Sequence, residues 1–275
     1  MEIKWDDHWA NNLYDPLSNI KNPKIWSDFV WKHSLEVLEE KINIKLADQK
    51  DFKNISFLEC GAGTASVTRH LKLAYDFDVI ALDNEVESIS LIGKLADKDK
   101  INIKTIHSSI ENIPLDSNSV DIVYLGGVLE YVEDVDICLR EINRILKEDG
   151  IIIFMVVPNV LNIQVIGNVL MYLKGLGGLR KNSQLKLVPN NARKWRSIKY
   201  IESLKRQSFD NITIDYLIPY PQLPLPVFLK FSYAFLLNIT DNIIRKFNKW
   251  NFFLKEYFTI SFLITAKKGI DDNRN

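Results

Sequence analysis

The chain has 275 residues, enough for one large α/β domain, and its 35 basic and 35 acidic residues give a formal net charge of zero. A chain without net positive charge has no broad attraction for nucleic acid, so no nucleic-acid partner is expected. Two cysteines are too few for a disulfide framework, the polar N-terminus differs from a signal peptide, and no apolar run reaches the ~20 residues of a spanning helix, so we expect a cytoplasmic protein.

Residues 1–50 are predicted to form a helical cover. In the segment PKIWSDFVWKHSLEVLEEKI the apolar residues from Ile25 to Ile42 recur with roughly helical spacing. Aromatic residues also precede this segment, so the N-terminal part is expected to bury an apolar helical face against the rest of the domain.

From residue 55 onwards, short apolar runs alternate with helix-like segments. The runs occupy residues 55–58, 79–82, 101–106, 120–125 and 151–157. Among the segments between them are SVTRHLKLAY and VDICLREINRILKEDG, and the second is expected to end at Gly150. Alternating strands and helices predict βαβ units and a doubly wound, mostly parallel sheet.

The segment 180–196 is strongly basic. It holds six cations and no acid, and the cations are Arg180, Lys181, Lys186, Arg193, Lys194 and Arg196. A solvated loop and a site for an anionic acceptor would both account for them. Ser197 is then predicted to cap the helix IKYIESLKRQ, and NITIDYLIP and YFTISFLITAKK are predicted strands.

Residues 223–247 form an apolar insertion before the last predicted strand. Lys230, Asn238, Asp241 and Arg245 make one narrow polar stripe on a predicted helix, which is therefore expected to bury most of its circumference. A lid packed on the sheet is the expected structure. A hydrophobic acceptor pocket and a shallow peripheral membrane contact are the alternatives.

The stretch ISFLECGAGTASVT turns from a predicted strand into a predicted helix through Gly61 and Gly63. Such a turn directs unpaired backbone N–H groups at one spot, although glycines also serve turns that bind nothing. Asp83 closes the next predicted strand about twenty residues later, where a carboxylate can accept hydrogen bonds from ribose hydroxyls. Ser66 stands where a nicotinamide-dinucleotide fingerprint has its third glycine, which disfavours that cofactor.

The order of these motifs resembles class I S-adenosylmethionine-dependent methyltransferases that act on small molecules. The resemblance covers about residues 50–160 and is carried by Glu59-x-Gly61-x-Gly63, by Asp83 and by the segments SSIENIPL, VDIVYLGGVLEYVED and LREINRILKEDG. It implies a Rossmann-like sheet of seven strands with an antiparallel last strand. The chain departs from the family pattern at Ala65, where the family has a third glycine, and at Ser109, where it often has an Asp near adenine.

The resemblance also implies one domain with a cofactor-binding core at 51–160, flanked by the helical cover at 1–50 and by acceptor-side elements at 161–275. The cofactor would be S-adenosyl-L-methionine and the product S-adenosyl-L-homocysteine. The implied cofactor-binding residues are Glu59, Cys60, Gly61, Ala62, Gly63, Asp83, Asn84, Ser109, Ile110, Leu125 and Gly126. Family architecture further suggests that Trp5, Trp9 and Tyr14 fold over the cofactor.

Methyl transfer from a sulfonium needs few catalytic groups. The leaving group departs neutral, and a base is required only when the acceptor carries a proton of high pKa. Glu130, which follows the fourth predicted strand, is the candidate acceptor-contacting residue, and a solvated acid at a helix start is the alternative. Tyr131 is expected to pack rather than react. The four histidines are scattered, so no metal site is predicted.

We therefore predict methyl transfer to a small or lipid-like acceptor, at oxygen. Apolar segments beside a cationic one suit a lipid-like or lipid-linked substrate. The alternative from another class is a non-catalytic binding or sensor module that keeps the fold. The sequence does not define the oligomeric state.

Overall fold

The computed structural model describes residues 15–47, 54–157, 195–217, 225–247 and 259–269, with single positions at 166, 169, 170, 221 and 223. Its helices are α1 (Trp26–Lys45), α2 (Ser66–Tyr75), α3 (Val86–Asp99), α4 (Val135–Ile145), α5 (Ser197–Arg206) and α6 (Val227–Phe247), preceded by a 3-10 helix at Pro16–Asn19. Its strands are β1 (Ser56–Cys60), β2 (Asp78–Asp83), β3 (Lys104–His107), β4 (Val120–Gly126), β5 (Leu146–Val156), β6 (Phe209–Leu217) and β7 (Ser261–Lys268). Several residues discussed above lie outside the described ranges: Trp5, Trp9, Tyr14, Arg180, Lys181, Lys186, Arg193 and Lys194.

The seven strands form one sheet in the order β3-β2-β1-β4-β5-β7-β6. The pairs from β3 to β5 are parallel, and β7 runs antiparallel to both β5 and β6. This arrangement confirms the predicted Rossmann-like sheet with an antiparallel last strand. The strand order reverses beside β1, and in open α/β sheets the crevice at such a switch point is where ligands bind.

Helices cover both faces of the sheet, as the doubly wound prediction required. α1 and α2 pack against strand residues such as Phe57 and Ile122, whereas α4 and α5 pack on the other face against Leu58 and Val123. Neighbouring residues of a strand point to opposite faces, so these contiguous apolar runs fill two cores at once. α3 joins the first face, where its Ile92 lies against alanines of β2 and the glycine turn.

The predicted end of α4 is wrong. The helix ends at Ile145 rather than at Gly150, and β5 begins directly at Leu146. β5 pairs with β4 at Leu146 and then again from Ile151, so residues 147–150 bulge out of the ladder. Strand pairing in the buried sheet overrides the helical periodicity that continues locally past the true helix end.

The N-termini of α4 and α5 differ in how they are capped. Asp134 caps α4, because its carboxylate accepts hydrogen bonds from the N–H groups of Asp136 and Ile137. The predicted cap of α5 is wrong by one residue. Arg196 occupies the cap position with extended backbone, and Ser197 is the first helical residue.

The prediction that α6 packs as a lid on the sheet is wrong as well. α6 packs against α1 and buries Ala234 and Leu237 there. Its large apolar side chains on the opposite side, including Phe228 and Phe235, remain exposed. The described part of the chain contains no helix that is both long and apolar enough to cross a bilayer.

A buried arginine joins the N-terminal segment to two helices. The Arg69 guanidinium is 1% exposed and lies 3.0 Å from Asp15 Oδ1 and 2.6 Å from Asp99 Oδ2. Its hydrogen bonds to Asp15, where the 3-10 helix begins, hold the pKa of that carboxyl below its usual value despite burial. Next to it, His70 Nε2 lies 2.8 Å from Glu39 Oε1.

Candidate functional site

The connection from β1 to α2 is a tight turn built from left-handed backbone. Gly61 has φ +62° and Gly63 has φ +54°. A Cβ on Gly61 would lie 2.5 Å from Val128 Cγ2, so a side chain is excluded both by conformation and by space. Ala65 also adopts φ +49°, a conformation that the glycine of the family pattern would adopt without strain.

The turn is held against the end of β2 and the start of α3 by three contacts. Ala62 N donates to Leu82 O at 3.0 Å, and Gly63 N donates to Asp83 Oδ2 at 2.8 Å. Ser88 Oγ, from α3, donates to Gly63 O at 2.9 Å. Asp83 is therefore a positioning group for the glycine turn. Sequence reasoning missed Ser88, whose only signal is its place one turn into the helix that follows β2.

Glu59 lies at the end of β1, just before the same turn. Its Oε2 accepts hydrogen bonds from Thr68 N at 2.8 Å and from Thr68 Oγ1 at 2.6 Å, so it caps the first turn of α2. Burial raises the pKa of Glu59 to about 7, against the lowering effect of the Thr68 bonds, and the Asp83 carboxylate adds to the rise. A cation placed beside this group would favour its ionised form.

A cavity of about 530 Å³ opens at the carboxyl ends of β1, β2 and β4, where the strand order reverses. Most of the residues expected to bind the cofactor line it: Glu59, Gly61, Ala62, Gly63, Asp83, Asn84, Ser109, Ile110 and Gly126. Cys60 and Leu125 do not. Their side chains are fully buried in the core on the opposite sheet face, because alternate residues of β1 and β4 point there. Any ligand contact of these two residues would come from their backbone.

Glu130 lies beside the cavity but is not among the residues that line it. Its carboxyl is 6% exposed, and its Oε1 accepts a hydrogen bond from Val157 N at 2.9 Å, just after β5. Its Oε2 is buried and has no hydrogen-bond partner among the residues that the structure describes. Burial raises the pKa of Glu130 to about 7. This hydrogen bond ties Glu130 to the residue that follows β5. The contact of Glu130 with an acceptor stays a prediction.

One end of the cavity is aromatic and apolar. Trp31 of α1, Tyr124 of β4 and Met155 of β5 line it and belong to one apolar cluster. Tyr131, which sequence reasoning assigned to packing, also lines the cavity. Tyr124 is paired in register with Glu59, so both side chains point to the same sheet face. This pairing of β1 with β4 is what identifies Tyr124 as a lining residue. Trp31 reaches the cavity from the N-terminal helix only through the tertiary fold.

The described lining of the cavity is acidic. Its carboxyl groups are Glu59, Asp83, Glu85, Glu111 and Glu133, and no Lys, Arg or His is among the described lining residues. A cleft lined by one sign of charge concentrates ligands of the opposite sign. The cavity therefore favours a cationic ligand and disfavours one that carries a diphosphate.

A glycine turn after β1, an acid that closes β2 and this strand order together define a class I methyltransferase fold. Residues 58–154 match the sequence model of the family described as "Methyltransferase domain". Over these residues the chain matches a methyltransferase domain, which agrees with the resemblance to class I, S-adenosylmethionine-dependent methyltransferases that the sequence motifs carry.

Two curated relatives align with about half of the chain. The demethylmenaquinone methyltransferase of Staphylococcus haemolyticus is 29% identical over 146 residues, which are 52% of this chain and 55% of the relative. Its counterpart from Staphylococcus saprophyticus is 32% identical over 145 residues, 51% of this chain and 55% of the relative. The match thus spans about half the length of these curated relatives.

Solved structures show the fold with low sequence identity. Geranyl diphosphate C-methyltransferase from Streptomyces coelicolor aligns with a TM-score of 0.54 and 13% identity over 96% of this chain and 97% of that one. Phosphoethanolamine N-methyltransferase 2 from Haemonchus contortus aligns with a TM-score of 0.56 and 13% identity over 98% of this chain and 61% of that one. The cyclase SpnF aligns with a TM-score of 0.57 and 14% identity over 87% of this chain and 83% of that one. At these identities the likeness concerns the fold alone.

Proposed function

We propose that the chain transfers a methyl group from S-adenosylmethionine to a small, lipid-like acceptor. The observation that carries this proposal is the acidic lining of the cavity at the switch point. S-adenosylmethionine bears a sulfonium and an ammonium group and so matches the five carboxyl groups there. A nicotinamide dinucleotide would place its diphosphate among those carboxyl groups without one described cation to bind it.

The residues of the turn fit such a ligand. Gly61 and Gly63 leave no side chain in its path, and the carboxyl of Glu59 faces the same space. Each oxygen of Asp83 accepts one backbone hydrogen bond, from Gly63 N and from Glu85 N. A carboxylate has about four acceptor positions, so Asp83 keeps capacity for two ribose hydroxyls. Asn84, Ser109 and Ile110 complete the expected nucleoside side of the site.

The aromatic end of the cavity supports a flat, apolar acceptor. Trp31 and Tyr124 present rings, and Met155 adds a deformable apolar side chain. The two curated relatives are named for demethylmenaquinone, a lipid-like quinone. A quinol-like or phenol-like ring of a lipid-like molecule is therefore the acceptor class that we propose, and oxygen stays the predicted atom of methylation.

When bound, S-adenosylmethionine supplies an electrophilic methyl group with a neutral leaving group. The chain's own contribution is to hold an acceptor in line with that methyl and to keep water away, and such positioning can supply about 7–11 kcal/mol. Tyr124 is 4% exposed and lines the aromatic end, so we expect its hydroxyl to orient an acceptor oxygen there. No strong base is demanded for an acceptor that is already acidic.

Calorimetric titration of the purified protein with S-adenosylmethionine, S-adenosylhomocysteine and NAD tests cofactor choice. We expect the two sulfur ligands to bind and NAD not to bind. Asp83→Ala should abolish this binding, whereas Asp78→Ala, an exposed residue at the other end of the same strand, should leave it intact. Binding of NAD alone, or of none of the three ligands, would refute the proposal.

Turnover tests the acceptor. Incubation with S-adenosylmethionine and quinols of increasing tail length should yield S-adenosylhomocysteine and a methylated quinol, and NMR of the product separates methylation at oxygen from methylation at carbon. Trp31→Ala should raise KM for the quinol and leave the Kd of the cofactor unchanged, because Trp31 lines only the aromatic end. Cofactor binding without turnover on any acceptor would favour the non-catalytic module instead.

A further inference from the structure

The segment after β3 forms one end of the cavity. Residues 108–111 all line it. Ser108 N donates a hydrogen bond to Asp83 O at 3.0 Å, which fixes the segment beside the end of β2. His107 Nε2, at the end of β3, lies 3.0 Å from Asn84 O and strengthens the same junction. Because β3 is the edge strand next to β2, this end of the cavity is the one farthest from β4 and β5.

The base of a bound nucleoside is expected at this end. The methyl group of the cofactor has to face the aromatic end of the cavity, where Tyr124 and Met155 belong to β4 and β5. Asp83, at the end of β2, is the proposed partner of the ribose. Neighbouring strands lie about 4.8 Å apart, so a ligand that extends from β4 across β1 to a ribose at β2 carries its base on to β3.

Glu111 brings a hydrogen-bond acceptor to this end. Its backbone N donates to Ser109 Oγ at 3.2 Å, which fixes the backbone from which its side chain extends. Its carboxylate makes no hydrogen bond or ion pair with the residues that the structure describes. Glu59 and Asp83, by contrast, already accept hydrogen bonds from the protein. Glu111 is therefore a half-buried carboxylate of the cavity whose acceptor positions remain for a ligand.

Adenine has the group that such a carboxylate binds. An ionised carboxylate only accepts hydrogen bonds, and the exocyclic amine of adenine donates them. Hypoxanthine, the analogue with an oxo group in place of that amine, would instead bring a second acceptor toward the carboxylate. A site built to hydrogen-bond one group rejects an analogue that lacks it, because the polar group of the site is then left unpaired.

We propose that Glu111 accepts a hydrogen bond from the exocyclic amine of the cofactor's adenine and thereby selects an amine-bearing purine over an oxo-bearing one. The proposal rests on the proposed function, because it assigns one end of the same site. A solvated carboxylate at the rim of the cavity is the alternative, and it would make no distinction between the two bases.

Calorimetric titration with S-adenosylhomocysteine and with S-inosylhomocysteine, which carries hypoxanthine in place of adenine, tests this assignment. We expect the unmodified protein to bind S-adenosylhomocysteine at least about tenfold more tightly, since a hydrogen bond to a charged group is lost with the analogue. Glu111→Gln keeps the length of the side chain and adds an amide donor, so it should accept either base. The ratio of the two Kd values should then fall to within about threefold.

Glu133→Gln is the matched control. Glu133 also lines the cavity, but it lies between β4 and α4, so this variant should keep the ratio of the unmodified protein. If Glu111→Gln keeps the full ratio, or weakens both ligands equally, the role of Glu111 is refuted while the proposed function stands. Equal binding of both ligands by the unmodified protein would refute it as well. Failure of the unmodified protein to bind S-adenosylhomocysteine at all would refute the proposed function and this proposal together.

Discussion

Glu130 offers a direct test of how burial controls a carboxyl group in this fold. It is 6% exposed, one of its oxygens accepts a hydrogen bond from Val157 N, and the other is buried without a partner in the described part of the chain. Burial raises its pKa from an ordinary value of 4.5 to about 7. Glu130→Gln keeps an oxygen for the Val157 N–H and cannot ionise, so it isolates the effect of the buried charge.

The sign of the effect follows from proton linkage. Between pH 4.5 and about 7 the folded protein keeps a proton on Glu130 that the unfolded chain has released. The free energy of unfolding therefore falls as pH rises through this window, by about 1.4 kcal/mol per pH unit for one group. The complete loss is on the order of 3 kcal/mol at pH 8. The pKa of Glu59, also raised to about 7, adds a second contribution of the same sign.

Urea unfolding between pH 5 and pH 8 measures this dependence. Glu130→Gln should roughly halve the slope of stability against pH, and at pH 8 it should be more stable than the unmodified protein by on the order of 3 kcal/mol. Glu148→Gln, at an exposed position of β5, should leave the slope unchanged. Parallel curves for Glu130→Gln and the unmodified protein would refute the reasoning, since Glu130 would then ionise in the fold as it does in the unfolded chain.

Two further substitutions probe the turn and the N-terminal anchor. Gly61→Ala should lower the melting temperature and weaken the affinity for S-adenosylmethionine at least about tenfold, because its Cβ would meet Val128 and the backbone at this position is left-handed. An unchanged affinity in calorimetry would contradict the role of the turn. Arg69→Met should cost about 3–5 kcal/mol in urea unfolding, because it leaves the Asp15 and Asp99 carboxylates without their buried partner, and a cost below about 1 kcal/mol would contradict that account.

Some features of the site follow from local sequence alone. Gly61 and Gly63 have a left-handed backbone that other residues adopt only with strain. Their spacing therefore predicts the turn without knowledge of the rest of the fold. Asp83 was predictable because it ends an apolar run at a fixed distance from those glycines. Ser88 escaped notice because a serine on a helix is common, and its bond to Gly63 O exists only once α3 lies against the turn.

The end of α4 and the place of α6 show the limit of periodicity. The helical pattern of α4 continues past Ile145, but pairing of Leu146 with β4 in the buried sheet ends the helix there. α6 was correctly predicted as a helix and wrongly placed on the sheet. Periodicity reports which residues share a face, and it does not report what that face meets.

The sequence by itself determined the order of strands and helices, the sharp turn after β1 and the acid that closes β2, because each depends on residues close together in the chain. Only the tertiary structure decided which side chains share the cavity. Trp31, Tyr124 and Met155 come from three distant segments, and they meet because α1 packs on the face of the sheet to which Tyr124 points. The burial of Glu130 beside the end of β5 and the exposure of Phe228 and Phe235, which follows from the packing of α6 on α1, were likewise decided by the tertiary structure, since burial is a property of the assembled layers and no local pattern encodes it.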